Sequence, residues 1–207
     1  MLLPQERIPA PLRRAAFLRE VLFRCDPDVR AVYLTFDDGP IPESTPHLLK
    51  MLAAYGARAT FFMVADNARR YPELHRAVLE AGHGVGNHTY HHVPPMRQTV
   101  NEMMEDVGLA DGILHSRLFR PPHGIIGIAQ QKALVAAGYL PVMFDLNVRD
   151  YHPGRTATQI VDTVRRHVRP GCILNFHDSL KSIDKLQTAL PEILRMLRDM
   201  DYRMDTL

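Results

Sequence analysis

The chemistry of this chain starts at Thr35-Phe36-Asp37-Asp38-Gly39-Pro40, where an apolar run ends in two adjacent carboxylates and a turn. Successive side chains of a strand point to opposite faces. At a strand end, with Gly39-Pro40 turning the chain, both carboxylates can nevertheless face one pocket. One can then bind a cation while its neighbour accepts a proton. A solvated turn would use the same residues, since Asp-Gly-Pro is ordinary turn chemistry. The second segment, Asn87-His88-Thr89-Tyr90-His91-His92, spaces two imidazoles four residues apart. One helical turn would put His88 and His92 on the same side and His91 elsewhere. Two such histidines and one carboxylate make a three-ligand set with a position open for water or substrate. A divalent metal suits that set, zinc foremost, and cobalt, nickel, manganese or iron are also compatible. A surface histidine cluster is the plain alternative.

Three further groups complete the list. Arg120-Pro121-Pro122-His123-Gly124 is a stiff segment in which Gly124 permits close approach to a ligand. Arg120 can pair with a carboxylate and keep it ionised, or serve only as a structural arginine. In Asn175-Phe176-His177-Asp178 a histidine directly follows a buried run, and Asp150 is available from the preceding unit. A carboxylate beside an imidazole raises its pKa and favours the imidazolium, the form a general acid requires.

These groups need elements to bring them together. Strand patterns are expected at 31–36, 59–64, 84–87, 118–120, 140–145, 172–176 and near 202–204, with helical stretches between them. Leu48, Leu49, Met51, Leu52 and Tyr55 recur at helix spacing, with Thr45 as the expected N-cap, Pro46 in the first turn and a stop at Gly56. Regular β-then-α alternation argues for parallel strands with helices outside, and seven units favour a closed or nearly closed barrel. Every reactive residue falls at or just after the end of a strand, the face on which β/α barrels build active sites.

Composition narrows the field. The 207 residues fit one domain, and 46% hydrophobic content supports an ordinary core. A net charge of +2 offers no field for nucleic acid. No run is apolar enough to cross a bilayer, and no signal peptide or anchor is visible, which reads as cytoplasmic. Residues 1–28 read as an N-terminal extension whose 12–22 stretch is a basic amphipathic helix packed on the domain end. Cys25 and Cys172 lack metal or redox spacing and read as unlinked buried thiols. His47, His75, His83, His115 and His167 read as surface or capping residues. Oligomeric state is not encoded in any visible pattern.

Taken together, the segments Thr35–Pro40, His88-Thr89-x-x-His92, Arg120-Pro121-Pro122 and Phe176-His177-Asp178 resemble the polysaccharide deacetylase family, the NodB homology domain of carbohydrate esterase family 4, over about residues 29–207. The resemblance implies an α/β fold, a distorted (β/α)7 barrel, and metal-assisted N-deacetylation of glycans or oligosaccharides of N-acetylglucosamine type. It assigns the metal to Asp38, His88 and His92, and the general base to Asp37, tuned by Arg120. It makes His177 the general acid with Asp150 as partner, and the backbone N–H of His123 an oxyanion donor. The chain departs from the family pattern at several positions. His123 replaces an aromatic residue, Tyr151 a tryptophan beside Asp150, and Asn147 an aspartate. Asn175 stands where a leucine lines the acetyl-methyl pocket, so it is expected either to bond locally or to admit another acyl group. A related C–N hydrolase acting on a small amide or modified sugar, and a non-catalytic glycan-binding homologue, are the competing readings.

Overall fold

In β1 (Ala31–Asp38) the even-numbered Val32, Leu34 and Phe36 are apolar, while Thr35 and Asp37 are polar and also buried. Such a strand must be covered on both sides, and the rest of the fold supplies the covers. A computed structural model describes residues 20–207; most of the expected helix at 12–22 lies outside the described residues. The other strands are β2 (Ala59–Met63), β3 (Gly84–Asn87), β4 (Leu118–Phe119), β5 (Leu140–Pro141), β6 (Leu146–Asn147), β7 (Ile173–His177) and β8 (Arg203–Met204). The sheet runs β5-β4-β3-β2-β1-β7-β6, with β8 added beside the start of β1, and every strand pair is parallel. It curls into a distorted α/β barrel. One expected strand, 140–145, is cut short: only Leu140–Pro141 pair as β5, residues 142–145 carry the chain to the other end of the strand order, and β6 begins beyond it at Leu146. There Val142 bridges Leu22 and the Asp145 N–H donates to Ile173 O at 3.0 Å.

The even-numbered face of β1 meets the helices. Phe36 stacks on Phe61 of β2 and Phe176 of β7, with ring centroids 5.1 and 5.5 Å apart. This layer joins the main hydrophobic cluster with α1 (Thr45–Ala54), α6 (Ala157–His167) and α7 (Ile183–Asp199). From α7 alone Ile183, Leu186, Leu190, Ile193, Leu194 and Leu197 are buried, each contributing about 1.5–3 kcal/mol relative to exposure. The remaining helices are α2 (Ala65–Arg70), α3 (Pro72–Glu80), α4 (Val100–Leu114) and α5 (Ile128–Ala136). Thr99 caps α4 by accepting from the Glu102 N–H while Glu102 accepts from the Thr99 N–H, a reciprocal cap worth about 1 kcal/mol. In α1 the N-cap is Ser44 and not Thr45. The Thr45 hydroxyl is already engaged, accepting from the Ile41 N–H and donating to Asp178.

The opposite, odd-numbered face of β1 lines the barrel interior. A small apolar cluster of Phe62, Val142 and Ile173 fills part of it; the rest is polar and leads to the site.

Candidate active site

At the centre lies Arg120, just after β4 and fully buried. Its guanidinium sits over the Phe62 ring at 4.1 Å and donates to four oxygens: Asp37 Oδ1 (2.7 Å), Thr35 Oγ1 (2.6 Å), Met143 O (2.8 Å) and Val142 O (3.2 Å). Phe62 occupies this position because β3 has Gly86 opposite it; a Cβ there would come within 2.3 Å of the ring. The second oxygen of Asp37 accepts from Asn175 Nδ2 at 2.7 Å. Sequence reasoning identified Arg120 and Asp37; it quoted Thr35 only within the motif Thr35–Pro40 and gave no role to Thr35, Phe62 or Gly86.

Asp37 and Asp38 reach the same pocket through a backbone inversion. Asp37 points inward with the pleat, and Asp38 has φ 84°, a left-handed conformation uncommon outside glycine. Asn67 Nδ2 donates to the Asp38 carbonyl at 3.1 Å and steadies the turn. Asp38 Oδ1 lies 3.3 Å from His92 Nε2 and 3.8 Å from His88 Nε2. One ligand atom from each of Asp38, His88 and His92 falls within 4.8 Å of the others.

The helical turn expected for residues 88–92 is absent. The segment is irregular, with left-handed Thr89 (φ 67°) and His92 (φ 57°). Asn87 Oδ1 accepts the Thr89 N–H and Thr89 Oγ1 accepts the His92 N–H, closing two tight side-chain turns that bring the rings to 5.0 Å. His91 turns away to Asp106, 2.5 Å from Nδ1. His88 Nδ1 lies 2.7 Å from the Arg120 carbonyl. A carbonyl only accepts, so Nδ1 carries the proton and the Nε2 lone pair faces the cluster, the tautomer a metal needs. Burial lowers the His88 pKa to about 4, favouring the neutral ligand form. Burial alone would raise the Asp38 carboxyl, but the His92 hydrogen bond and the charges of His177, His88 and His92 outweigh it and hold it well below the usual carboxylate range. One carboxylate and two imidazoles suit a divalent cation such as zinc.

His177 ends β7, in register with Asp37 of β1. Asp150 accepts its backbone N–H at 2.8 Å and sits 2.8 Å from its Nδ1. Burial works against protonation here, yet Asp150, Asp38 and Asp37 prevail and raise the His177 pKa to about 9. Asn147 shapes the turn that delivers Asp150, its Oδ1 accepting the N–H of left-handed Arg149 (φ 56°). Tyr151 meets the His177 ring edge-on at 4.7 Å. His123 is exposed at φ 60°, with its ring 5.0 Å from that of His92. All ten residues singled out in the sequence thus lie on the C-terminal side of the strands or beneath it. Asn175 is the one whose surroundings differ from an acyl-pocket lining, since its amide is bonded to Asp37. Of the remaining histidines, His83 is buried and not a surface residue; its Nδ1 accepts the Ala59 N–H at 3.2 Å. Cys25 and Cys172 are both free thiols, partly and fully buried.

A parallel barrel whose strand ends gather a carboxylate–dihistidine cluster, a buried Arg–Asp pair and an Asp–His pair has the apparatus of a hydrolase. The comparison with known proteins agrees. The family model described as polysaccharide deacetylase matches residues 25–142. A peptidoglycan-N-acetylglucosamine deacetylase of Bacillus cereus is 35% identical over 188 residues, covering 86% of both chains. A chitooligosaccharide deacetylase of a Bradyrhizobium strain is 36% identical over 157 residues, covering 72% of this chain and 71% of that one. Among solved structures, a peptidoglycan N-acetylglucosamine deacetylase bound to a naphthalenyl-N-oxidanyl-benzamide superposes with TM-score 0.87 at 28% identity, covering 91% of each chain. This chain belongs to the polysaccharide deacetylase family. No helix among the described residues is long and apolar enough to cross a membrane.

Proposed function

We infer that the chain is a metal-dependent N-deacetylase acting on N-acetylglucosamine-type residues of peptidoglycan or chitin-like glycans, with residues 29–207 as the catalytic unit. One observation carries this reading: Asp37 and His177 sit in register on adjacent strands, beside Asp38, His88 and His92, and each has its own charged partner. Asp38, His88 and His92 would hold the cation, zinc best matching the donor set. When bound, it polarises the acetyl carbonyl and acidifies water.

The protein's own groups do the rest. Asp37, paired with the Arg120 guanidinium, accepts a proton from water as the water oxygen bonds to the acetyl carbon. The backbone N–H of His123 donates to the carbonyl oxygen as charge gathers there. His177, charged through Asp150, gives a proton to the sugar nitrogen as the carbon–nitrogen bond breaks. Acetate and a free amino sugar result. Tyr151 against His177 and exposed His123 beside His92 offer surfaces for the sugar. Asn175 is committed to Asp37 and supplies no argument for a different acyl group.

The test is acetate release from peptidoglycan and chitooligosaccharides with added zinc or cobalt. Wild type is expected to turn over at least one of them, and Asp37→Asn and His177→Ala to lose about 10²–10⁴ in kcat. Equal rates in all three proteins would overturn the assignment, and retention on immobilised glycan without turnover would favour a binding protein.

A further inference from the structure

The carboxylate of Asp37 is held from both sides. Arg120 Nη1 donates to Oδ1 and Asn175 Nδ2 to Oδ2, each at 2.7 Å. The Asn175 amide must present its nitrogen there, because its oxygen would face another acceptor. All three side chains are buried. The register explains the contact: Asn175 pairs with Thr35 and His177 with Asp37. With a side-chain period of two, Asn175 therefore faces inward one pleat beneath His177 and diagonally across from Asp37.

We propose that Asn175 is a positioning residue for the reaction, forming with Arg120 a two-donor clamp that fixes the plane of the Asp37 carboxylate. The role of Asp37 rests on the deacetylase reading; the clamp itself is geometric. The terminal torsion of an aspartate is broad and defines no single plane. A single donor on Oδ1 leaves the carboxylate free to turn about its Cβ–Cγ bond. A second donor on Oδ2, from a different strand, removes that freedom. Neither donor has slack: Arg120 is held by Thr35, Val142 and Met143, and Asn175 lies within β7. An ionised carboxylate has about four acceptor positions, so two remain for water. A pure acyl-pocket lining would need no donor at this position, and a volume filler would need no contact with Asp37.

Asn175→Leu removes the amide at similar volume, and Asn175→Ala removes it without added bulk. Both are made in the full chain, with metal content and thermal melting to confirm folding, and the second variant guards against misfolding of the first. On the glycan that wild type deacetylates fastest, kcat is expected to fall about 10–10²-fold with KM nearly constant in both variants. Crystals of either variant are expected to show the Asp37 carboxylate rotated out of its wild-type plane. Wild-type kcat in both variants, an unrotated carboxylate, or a rise in KM alone would overturn the proposal. If wild type releases acetate from no glycan, the deacetylase reading fails, and the carboxylate orientation still decides the clamp.

Discussion

Asp150 holds His177 at two points, one oxygen on its backbone N–H and the other at its ring Nδ1, both at 2.8 Å. The double contact fixes the ring with Nε2 free for the pocket. It also makes Asp150 the largest favourable influence on the imidazolium, overcoming the burial that opposes it. A general acid must be protonated to act, so activity is present below the His177 pKa and lost as pH rises through it. The alkaline limb of kcat/KM is expected near pH 9. In Asp150→Asn the carboxylate charge is gone and the limb moves to lower pH. A pH–rate profile of both proteins checks this, and an unmoved limb would separate His177 from the proton transfer.

Metal content provides a second check. His88 is buried with its Nε2 aimed at the cluster by the Arg120 carbonyl. His88→Ala is expected to lower bound zinc from near stoichiometric to near zero and to abolish acetate release. Changing the second-sphere carbonyl contact would cost roughly 10–10²-fold in affinity in comparable sites. Elemental analysis after dialysis reads the result, and full zinc occupancy in the variant would remove His88 from the site.

Gly86→Ala should damage activity from a position bearing no functional group. The added methyl would meet the Phe62 ring, on which the Arg120 guanidinium rests. Overpacking of this kind costs about 1–3 kcal/mol, measurable by urea unfolding. The accompanying loss in kcat is expected to exceed that of an equally destabilising change on the outer face of α7, because Arg120 moves with Phe62.

Asp178 gives a stability prediction with a definite sign. Burial, partly offset by Thr45 and Ser44, raises its carboxyl from 3.8 to about 7. A raised folded pKa means that stability is fully present below the unfolded value, near pH 4, and declines as pH rises through about 7. Asp178→Asn abolishes that decline. The variant should gain on wild type in melting temperature between pH 5 and 8. Parallel pH dependence of the two proteins would contradict the assignment.

Much of this was legible in the residues. The β–α alternation, the strand-end location of the reactive groups and the composition of the carboxylate–dihistidine set all follow from residue type and spacing. What escaped depends on backbone geometry that spacing does not encode. His88 and His92 meet, but through left-handed Thr89 and His92 and two side-chain turns, not a helix. The apolar stretch at 140–145 reads as one strand, yet it stops at Pro141 because the chain then passes from one end of the strand order to the other. Helix α2 has six residues and no apolar repeat to reveal it. Asn175 looked like a misplaced polar group because its partner is 138 residues away.

Among the described residues the largest fully buried side chain is a cation, Arg120. Where another barrel would have hydrocarbon, this one has the guanidinium that holds Asp37, so the same atoms fill the interior and fix the carboxylate proposed as the proton acceptor. A library randomised at Thr35, Phe62, Gly86 and Arg120 and sorted only for soluble expression would therefore also pass apolar interiors that do no chemistry. By the same token, stabilising this interior with a wholly apolar redesign would yield a robust scaffold that has lost its trade.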